Sequence, residues 1–175
     1  MIDVRRLSAA EGREYLPALA EVLKDCVDGG ASVSFMAPFS KSAAEHFFES
    51  VVKGVEAGDR ILLAAFVDSQ LVGTVQIVTS TPPNQPHRAD VAKLLVLRSA
   101  RAQGIATRLM THVEEVAPLA GKTLLVLDTV TGSTAEKLYT RLGWTRVGVI
   151  PNYALFPNGD WCDTTIFYKD ISGDK

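Results

Sequence analysis

The chain has 175 residues, of which 47% are hydrophobic and 22% charged, and its formal net charge is −2. This length and composition predict a single globular domain over residues 1–175, and the near-neutral charge argues against binding to nucleic acid or to an acidic membrane surface. No run approaches the roughly 18 apolar residues of a membrane span, and the start of the chain lacks a signal-peptide core, so we expect a cytoplasmic protein. Cys26 and Cys162 form no CxxC pair, which argues against a metal site.

The first half of the chain alternates between strand and helix periodicity. We predict a strand at residues 2–7, a helix over residues 11–27 that ends at two glycines, a helix from 40 to 58, and a hairpin of strands 60–67 and 71–78. Residues 31–39 are apolar without either period. They fit an ordered loop that covers a binding site and a satellite of the core equally well.

The second half predicts parallel strands joined by a helix. Residues 88–97 and 122–128 are apolar runs on either side of an amphipathic segment, which is the pattern of a right-handed βαβ unit. Ser133 starts a capping box, and strands are predicted at residues 144–150 and 161–169 around a loop at 151–160. The fold class is therefore α+β, with a mixed central sheet.

The turn between strand 88–97 and its helix is suited to an anion. A helix start carries unpaired N–H groups, and Gly104 and Ala106 leave that backbone accessible. Arg98, Arg101, Gln103 and Arg108 supply further donors and positive charge around it. The alternative is that the two small residues only allow the helix to pack closely on its strand.

Two motifs resemble the GCN5-related N-acetyltransferase (GNAT) superfamily. Arg101 to Ala106 is similar to its Arg/Gln-x-x-Gly-x-Gly/Ala signature, and a second block contains Tyr139 and ends in Gly143 and Trp144, where the family usually has Gly-Phe. The resemblance implies the GNAT fold, a mixed sheet of about seven strands with four helices and with strands 4 and 5 splayed apart. Residues 29–36, 88–90, 127–129 and 132–133 resemble most closely the tabtoxin resistance type.

The resemblance also implies acetyl-coenzyme A as co-substrate, without a metal. Its pyrophosphate is then expected on the N–H groups of residues 103–107, which we call the cradle. Its pantetheine arm is expected to pair with the backbone of residues 95–97 in the preceding strand. Gly132 stands where the family often has an asparagine that binds this arm, so Ser133 or the backbone must replace that contact. The residues expected to bind the cofactor are Leu95, Val96, Leu97, Arg101, Gln103, Gly104, Ile105, Ala106, Thr107 and Ser133.

Three residues are candidates for the chemistry. By resemblance, Tyr139 stands near the sulfur of coenzyme A as the acid, although it also fits the apolar stripe of its helix. Asp90, about ten residues ahead of Arg101, and Asp128, at the end of a strand, are candidates for the base. The alternatives are that Asp90 pairs with Arg88 or caps a turn, and that Asp128 is a turn residue.

The acceptor is expected between the segments 31–39 and 151–160, where Phe35, Met36, Asn152 and Tyr153 are the candidate contacts. The predicted activity is acetyl transfer to a small amine, such as an amino-acid-like compound, a toxin or an antibiotic, by direct attack. Two other readings are a non-catalytic acyl-coenzyme A sensor and an enzyme that acetylates a protein N-terminus or lysine. The sequence leaves open whether the protein forms a homodimer.

Overall fold

A computed structural model describes residues 1–173 of the chain. The strands are β1 Ile2–Leu7, β2 Arg60–Val67, β3 Gln70–Val78, β4 Arg88–Val96, β5 Leu124–Val130, β6 Thr145–Leu155 and β7 Trp161–Asp170. They form one mixed sheet in the order β1-β2-β3-β4-β5-β7-β6, in which only β4 and β5 are parallel neighbours. The α+β class, the seven strands and the parallel pair are as predicted.

The described residues contain five α-helices rather than the predicted four. They are α1 Ala9–Glu14, α2 Leu16–Asp28, α3 Lys41–Ala57, α4 Ile105–Val116 and α5 Thr134–Arg141. The single helix predicted over residues 11–27 is wrong because Pro17 lies in the first turn of α2. Proline lacks the N–H that a continuous helix needs at that position and is tolerated only in a first turn, so a new helix begins after Tyr15.

The sheet is covered on both faces. On one face, Leu109, Met110 and Val113 of α4 are fully buried in a cluster that also contains Tyr139 of α5. On the other face, Leu19 and Leu23 of α2 are buried together with Phe48 of α3. We call these the α4 face and the α2–α3 face. Because both faces are covered, β2 and β3 are buried along almost their whole length, and in β3 this includes the polar residues Thr74 and Gln76.

The two parallel strands separate soon after they meet. Pairing between β4 and β5 is confined to residues Arg88, Ala89 and Asp90 opposite Leu124, Leu125 and Val126. Beyond these pairs β4 continues to Val96 and β5 to Val130 without mutual pairing, which leaves a wedge-shaped gap in the middle of the sheet. The predicted splay of strands 4 and 5 is confirmed.

Strand β4 also carries a bulge at the start of the gap. Its register against β3 shifts between Thr74 and Gln76, whose partners are Leu95 and Ala92. One residue of β3 lies between the first two, whereas two residues of β4 lie between their partners. Lys93, within this stretch, has a φ of 55°, which is unusual for a residue with a side chain. A bulge of this kind changes the face to which a side chain points.

The loop predicted at residues 151–160 is shorter than expected. Strand β6 runs on to Leu155, and the register against β7 is irregular between Ile150 and Ala154. Asn152, with a φ of 51°, lies in this irregularity, and its N–H donates to Asp163 Oδ1 at 2.8 Å. A bulge absorbs the proline at 151 and allows pairing to resume, which sequence periodicity does not reveal.

Candidate active site

The gap exposes a backbone edge of β4. Leu97 donates its N–H to the Val72 carbonyl of β3 at 2.9 Å, and Val96 is the partner of Gly73 in the same ladder. Because hydrogen-bonded and non-hydrogen-bonded pairs alternate in an antiparallel ladder, the backbone groups of Val96 point away from β3 and into the gap. The Val96 carbonyl accepts Arg101 Nε at 3.3 Å and the Cys26 thiol at 3.5 Å, so an extended ligand in the gap can pair with the Val96 N–H as an added strand does.

The predicted cradle lies directly beyond this edge. Gly104 is the N-cap of α4 with a φ of 82°, and a Cβ added there meets no atom within 4 Å. The glycine is therefore needed for its left-handed backbone and not for close packing, which argues against the packing-only alternative. Ile105 is 1% exposed and anchors the helix, while residues 101–104 are exposed. The first N–H groups of α4 thus face open space at the mouth of the gap.

The basic side chains around the cradle differ in their availability. The backbone N–H and Nε of Arg98 donate to Asp25 at 2.7 and 2.9 Å, which ties the loop after β4 to α2. Burial raises the pKa of Asp25, but the hydrogen bonds from Arg98 outweigh burial, so that this pKa lies below its usual value. Arg101 donates from Nε to the Val96 carbonyl at 3.3 Å, while the side chains of Gln103 and Arg108 are exposed.

Tyr139 lies on α5, which starts at the N-cap Ser133. It is 5% exposed and its ring centroid is 5.9 Å from those of Trp144 and Phe167. Among the described residues its hydroxyl forms no hydrogen bond. Burial, and then the charge of Asp128, raise the pKa of Tyr139 well above its ordinary value, so the phenol stays protonated at neutral pH.

Ser133 has one role that the structure accounts for. Its hydroxyl oxygen accepts the N–H of Glu136 at 3.1 Å, and Thr129 Oγ1 is 3.5 Å away. The Gly132 N–H is bound by the Glu136 carboxylate, so this backbone donor is already satisfied. The Ser133 O–H proton can be donated either to Thr129 Oγ1 or to a ligand at this turn.

The two candidate carboxylates are in different situations. Asp128 follows Leu127, which belongs to the cluster on the α4 face, so its side chain lies on the α2–α3 face. Thr164 donates to Asp128 Oδ2 at 3.0 Å, and no described cation forms an ion pair with Asp128. Asp90 instead pairs with Arg88 NH1, as the structural alternative predicted. Asp90 is opposite Val126, so the strands are staggered with Asp128 two residues further into the gap.

Lys93 is a residue of the gap that sequence reasoning did not single out. Its Nζ donates to Ser34 Oγ at 3.0 Å and lies 5.9 Å from the ring centroid of Phe47. Both partners belong to the α2–α3 face, where Asp128 also lies. The sequence did contain a sign of this residue, since Lys93 is a charged residue inside the apolar run 91–97. Strand periodicity alone, however, places its side chain on the α4 face.

The loop between α2 and α3 is ordered and contacts the β6–β7 hairpin, and it also packs on the core, because Phe39 is buried in the cluster of the α2–α3 face. Ser32 Oγ donates to the Leu155 carbonyl at 2.7 Å, and Ala37 donates its N–H to the Pro157 carbonyl at 3.0 Å. A groove of about 530 Å³ lies between this loop, the end of α2 and the hairpin turn. Its lining residues are Val27, Asp28, Gly30, Ala37, Phe156, Pro157 and Asn158. Asp128 and Tyr139 do not line it, so the groove is not the proposed reacting centre.

The four predicted acceptor contacts lie on the two segments that flank this groove. Phe35 packs against Phe39 and Phe47, with ring centroids 4.6 and 5.3 Å apart. Met36 and Tyr153 are 46% and 54% exposed. Asn152 is exposed in the β6 bulge. The aromatic packing of Phe35 gives it a structural role, whereas Met36 and Tyr153 are free to contact a ligand.

A sheet that opens between two parallel strands, with a helix N-terminus at the mouth of the opening, is the architecture of coenzyme A-dependent acyltransferases. The sequence model of the acetyltransferase (GNAT) family matches residues 20–144. The chain belongs to this family, and it is an acetyl-coenzyme A-dependent N-acetyltransferase.

Individual relatives agree with this assignment. An uncharacterised N-acetyltransferase from the hisH–hisA intergenic region of Azospirillum brasilense is 29% identical over 152 residues, which cover 85% of this chain and 89% of that protein. An N-acetyltransferase from Staphylococcus aureus Mu50 superposes with a TM-score of 0.81 at 18% identity, over 98% of this chain and 99% of that one. The structure of yncA from Salmonella typhimurium with its cofactor acetyl-CoA superposes with a TM-score of 0.79 at 15% identity, over 99% and 95% of the chains.

Two further properties concern only residues 1–173. None of the helices there is long and apolar enough to cross a membrane. In the same residues no three His, Cys, Asp or Glu side chains converge as they do around a bound metal ion.

Proposed function

We propose that the protein transfers the acetyl group of acetyl-coenzyme A to the amine of a small molecule by direct attack, with Asp128 as the base and Tyr139 as the donor to the sulfur. The observation that carries this proposal is the arrangement of the two side chains at the β4–β5 gap. Tyr139 lies on the α4 face and Asp128 on the α2–α3 face of the same part of the sheet, and after burial the carboxylate charge also raises the pKa of the phenol.

The residues around the gap fit acetyl-coenzyme A, which supplies the acetyl group as a thioester. The unpaired N–H groups at the start of α4 suit the pyrophosphate, and Gly104 keeps them accessible. The Val96 backbone suits the amides of the pantetheine arm, and the Ser133 hydroxyl proton suits one of its carbonyl groups. Together these contacts direct the thioester between Asp128 and Tyr139.

Asp128 takes the proton from the ammonium form of the acceptor, directly or through water, because a protonated nitrogen has no lone pair for attack. The neutral nitrogen then attacks the thioester carbonyl carbon, so that an N–C bond forms and the C–S bond breaks. The nitrogen loses its second proton to solvent water, and the sulfur leaves as a thiolate that takes a proton from solvent to become the thiol, so that one proton is released overall once Asp128 returns its own to solvent.

The perturbed pKa of Tyr139 defines its part more closely. An ordinary thiol has a pKa of about 8.5 and an ordinary phenol about 10. Because burial makes Tyr139 a still weaker acid, complete proton transfer to the thiolate is uphill. Tyr139 therefore acts as a hydrogen-bond donor that stabilises the developing negative charge on sulfur.

Direct attack is favoured over an acetyl-enzyme by the state of the cysteines. Burial raises the pKa of Cys26, despite the opposing effect of Arg101, so the sulfur is a protonated thiol and a poor nucleophile. Cys162 is also buried and lies against Ser32. A ternary complex of enzyme, acetyl-coenzyme A and amine is the arrangement that these residues support.

A small acceptor is favoured over a protein chain by the tied loop. The contacts of Ser32 and Ala37 hold this loop against the β6–β7 hairpin, beside a groove of about 530 Å³, a volume within the range of small-molecule sites. The resemblance of segments 29–36 and 127–129 to tabtoxin resistance acetyltransferases supports an amino-acid-like amine, and with it a role against a toxin or antibiotic.

Thiol release from acetyl-coenzyme A tests the proposal against amino acids, other small amines and lysine peptides. We expect acceleration by small amines and none by peptides. If no acceptor accelerates release while calorimetry shows tight acetyl-coenzyme A binding, the protein is the non-catalytic sensor. Acceleration by peptides alone supports the protein-modifying alternative.

A further inference from the structure

Lys93 differs from the other buried lysines of the chain in how its ammonium group is satisfied. Lys122 is 7% exposed and donates to the carbonyls of Thr79 and Pro86 at 2.9 and 2.8 Å. Lys169 binds the Glu114 carboxylate at 2.8 Å and the Leu142 carbonyl at 2.8 Å. Lys93 is half-buried in the gap, and its only hydrogen-bond partner among residues 1–173 is one hydroxyl, Ser34.

An ammonium group has three donors, so two remain unspent on Lys93. No carboxylate of the described residues lies at ion-pair distance from Nζ. The Phe47 ring at 5.9 Å contributes a weak attraction only. A half-buried cation without a counter-ion is costly unless a ligand provides one.

Two further observations connect this cation with the proposed reacting centre. Burial lowers the pKa of Lys93 and the charge of Asp128 opposes that effect, so the two side chains sense each other across the gap. The backbone of Lys93 has a φ of 55° within the β4 bulge, and such strained positions concentrate at functional sites.

We infer that Lys93 and Ser34 form the subsite for a carboxylate of the acceptor, so that the substrate is an amine that also carries a carboxylate, as an α-amino acid does. This inference rests on the proposed function, because the amine is then directed to Asp128 while the carboxylate meets Lys93. One ammonium and one hydroxyl match a singly charged carboxylate better than a phosphate, which is usually held by several cations or guanidinium groups. The nearby Arg60 guanidinium already binds Gln76 Oε1 at 2.8 Å.

Paired acceptors test the subsite directly. Each amino acid is compared with its α-carboxamide, which retains the amine and side chain but lacks the negative charge. We expect the wild-type enzyme to prefer the acid by roughly ten- to a hundredfold in kcat/KM, which is the range for a hydrogen bond to a charged group. The Lys93→Gln variant should lose most of this preference through a higher KM for the acids, with acetyl-coenzyme A affinity unchanged. Because the variant also removes a charge that Asp128 senses, the quantity compared is the ratio of kcat/KM on acid and amide within each enzyme.

Lys53→Gln, on the exposed face of α3, is the matched control and should retain the full preference. Ser34→Ala should reduce the preference less than Lys93→Gln, and it keeps the test usable should the lysine variant not fold. Equal rates on acids and amides by the wild type, or equal losses on both by Lys93→Gln, overturn the carboxylate subsite and leave the acetyltransferase intact. A wild type that acetylates no small amine refutes the proposed function itself.

Discussion

Replacing Tyr139 by phenylalanine removes one oxygen atom from the centre of the proposed chemistry. The ring packs between Trp144 and Phe167, and these contacts do not involve the hydroxyl. Among the described residues the hydroxyl has no hydrogen-bond partner that the substitution could leave unsatisfied. We therefore expect the free energy of unfolding at neutral pH to change by less than about 1 kcal/mol.

The effect on the rate should be much larger. A donor aimed at developing negative charge in a buried site contributes about 3–4 kcal/mol, so kcat should fall by roughly 10²- to 10³-fold. The Kd of acetyl-coenzyme A should stay within about twofold, because the thioester sulfur carries no charge before the reaction and accepts only weak hydrogen bonds. This separation of kcat from Kd distinguishes a donor to the leaving group from a residue that only packs the core.

The raised pKa of Tyr139 adds a prediction about pH. Burial first, and then Asp128, keep the phenol protonated, so its ionisation contributes no falling limb to the rate profile below about pH 10. Wild type and Tyr139→Phe should have profiles of the same shape. In unfolding, the folded state retains a proton that the unfolded chain releases above about pH 10, so this contribution to stability is lost as pH rises and is absent from the variant.

Thiol release under saturating acetyl-coenzyme A gives kcat, and calorimetry gives Kd. Tyr15→Phe is the control, since Tyr15 packs edge-to-face against Phe66, and Arg5 is the one hydrogen-bond partner of its hydroxyl among residues 1–173. An unchanged kcat in Tyr139→Phe, or parallel losses in kcat and acetyl-coenzyme A affinity, would refute the assignment of Tyr139 as the donor.

Three other substitutions test the remaining parts of the site. Asp128→Asn cannot accept a proton, so kcat should fall by roughly 10²- to 10⁴-fold, and an unchanged kcat assigns proton removal to another group. Gly104→Ala places a side chain at a φ of 82° and should cost about 1 kcal/mol of stability, with weaker acetyl-coenzyme A binding in calorimetry. Gly58→Ala, at a φ of 81° and equally open, should lose the same stability without the binding effect, and equal binding losses contradict the cradle. Asp25→Asn removes a carboxylate whose pKa is raised by burial but lowered by more through Arg98. The wild type should therefore melt at a higher temperature than the variant at neutral pH, and this difference should vanish as pH falls below about 4. A difference that persists in acid excludes the Asp25–Arg98 ion pair as its source.

The parts of the fold that sequence reasoning predicted are those with local causes. The helix start at Gly104 was predictable because a glycine ahead of an amphipathic segment leaves the backbone accessible there. The N-caps at Ser40 and Ser133 also have a local cause, because each hydroxyl accepts an N–H from the first turn of its own helix. Parallel pairing of β4 and β5 followed from the length of the connection between them.

Which of the two aspartates is available as the base depends on contacts between residues far apart in the sequence. Asp90 lies two residues after Arg88, so their side chains share a face and form an ion pair. Asp128 has no such neighbour along its own strand, and its partner Thr164 is contributed by β7. The sequence contained both candidates but not the long-range contacts that separate a paired carboxylate from an available one.

The position of Lys93 depends on a single extra residue in β4. In a regular strand, successive side chains alternate, so Lys93 after Ala92 would point toward the α4 face, among Val91, Val96 and the apolar stripe of α4. An unpaired ammonium there would be a buried charge in the core, which proteins avoid at considerable cost. The bulge allows Ala92 and Lys93 to lie on the same face, and it thereby moves the charge to the side of Asp128 and Ser34. The cation that sequence periodicity places in the core is for this reason the residue best situated to select the acceptor.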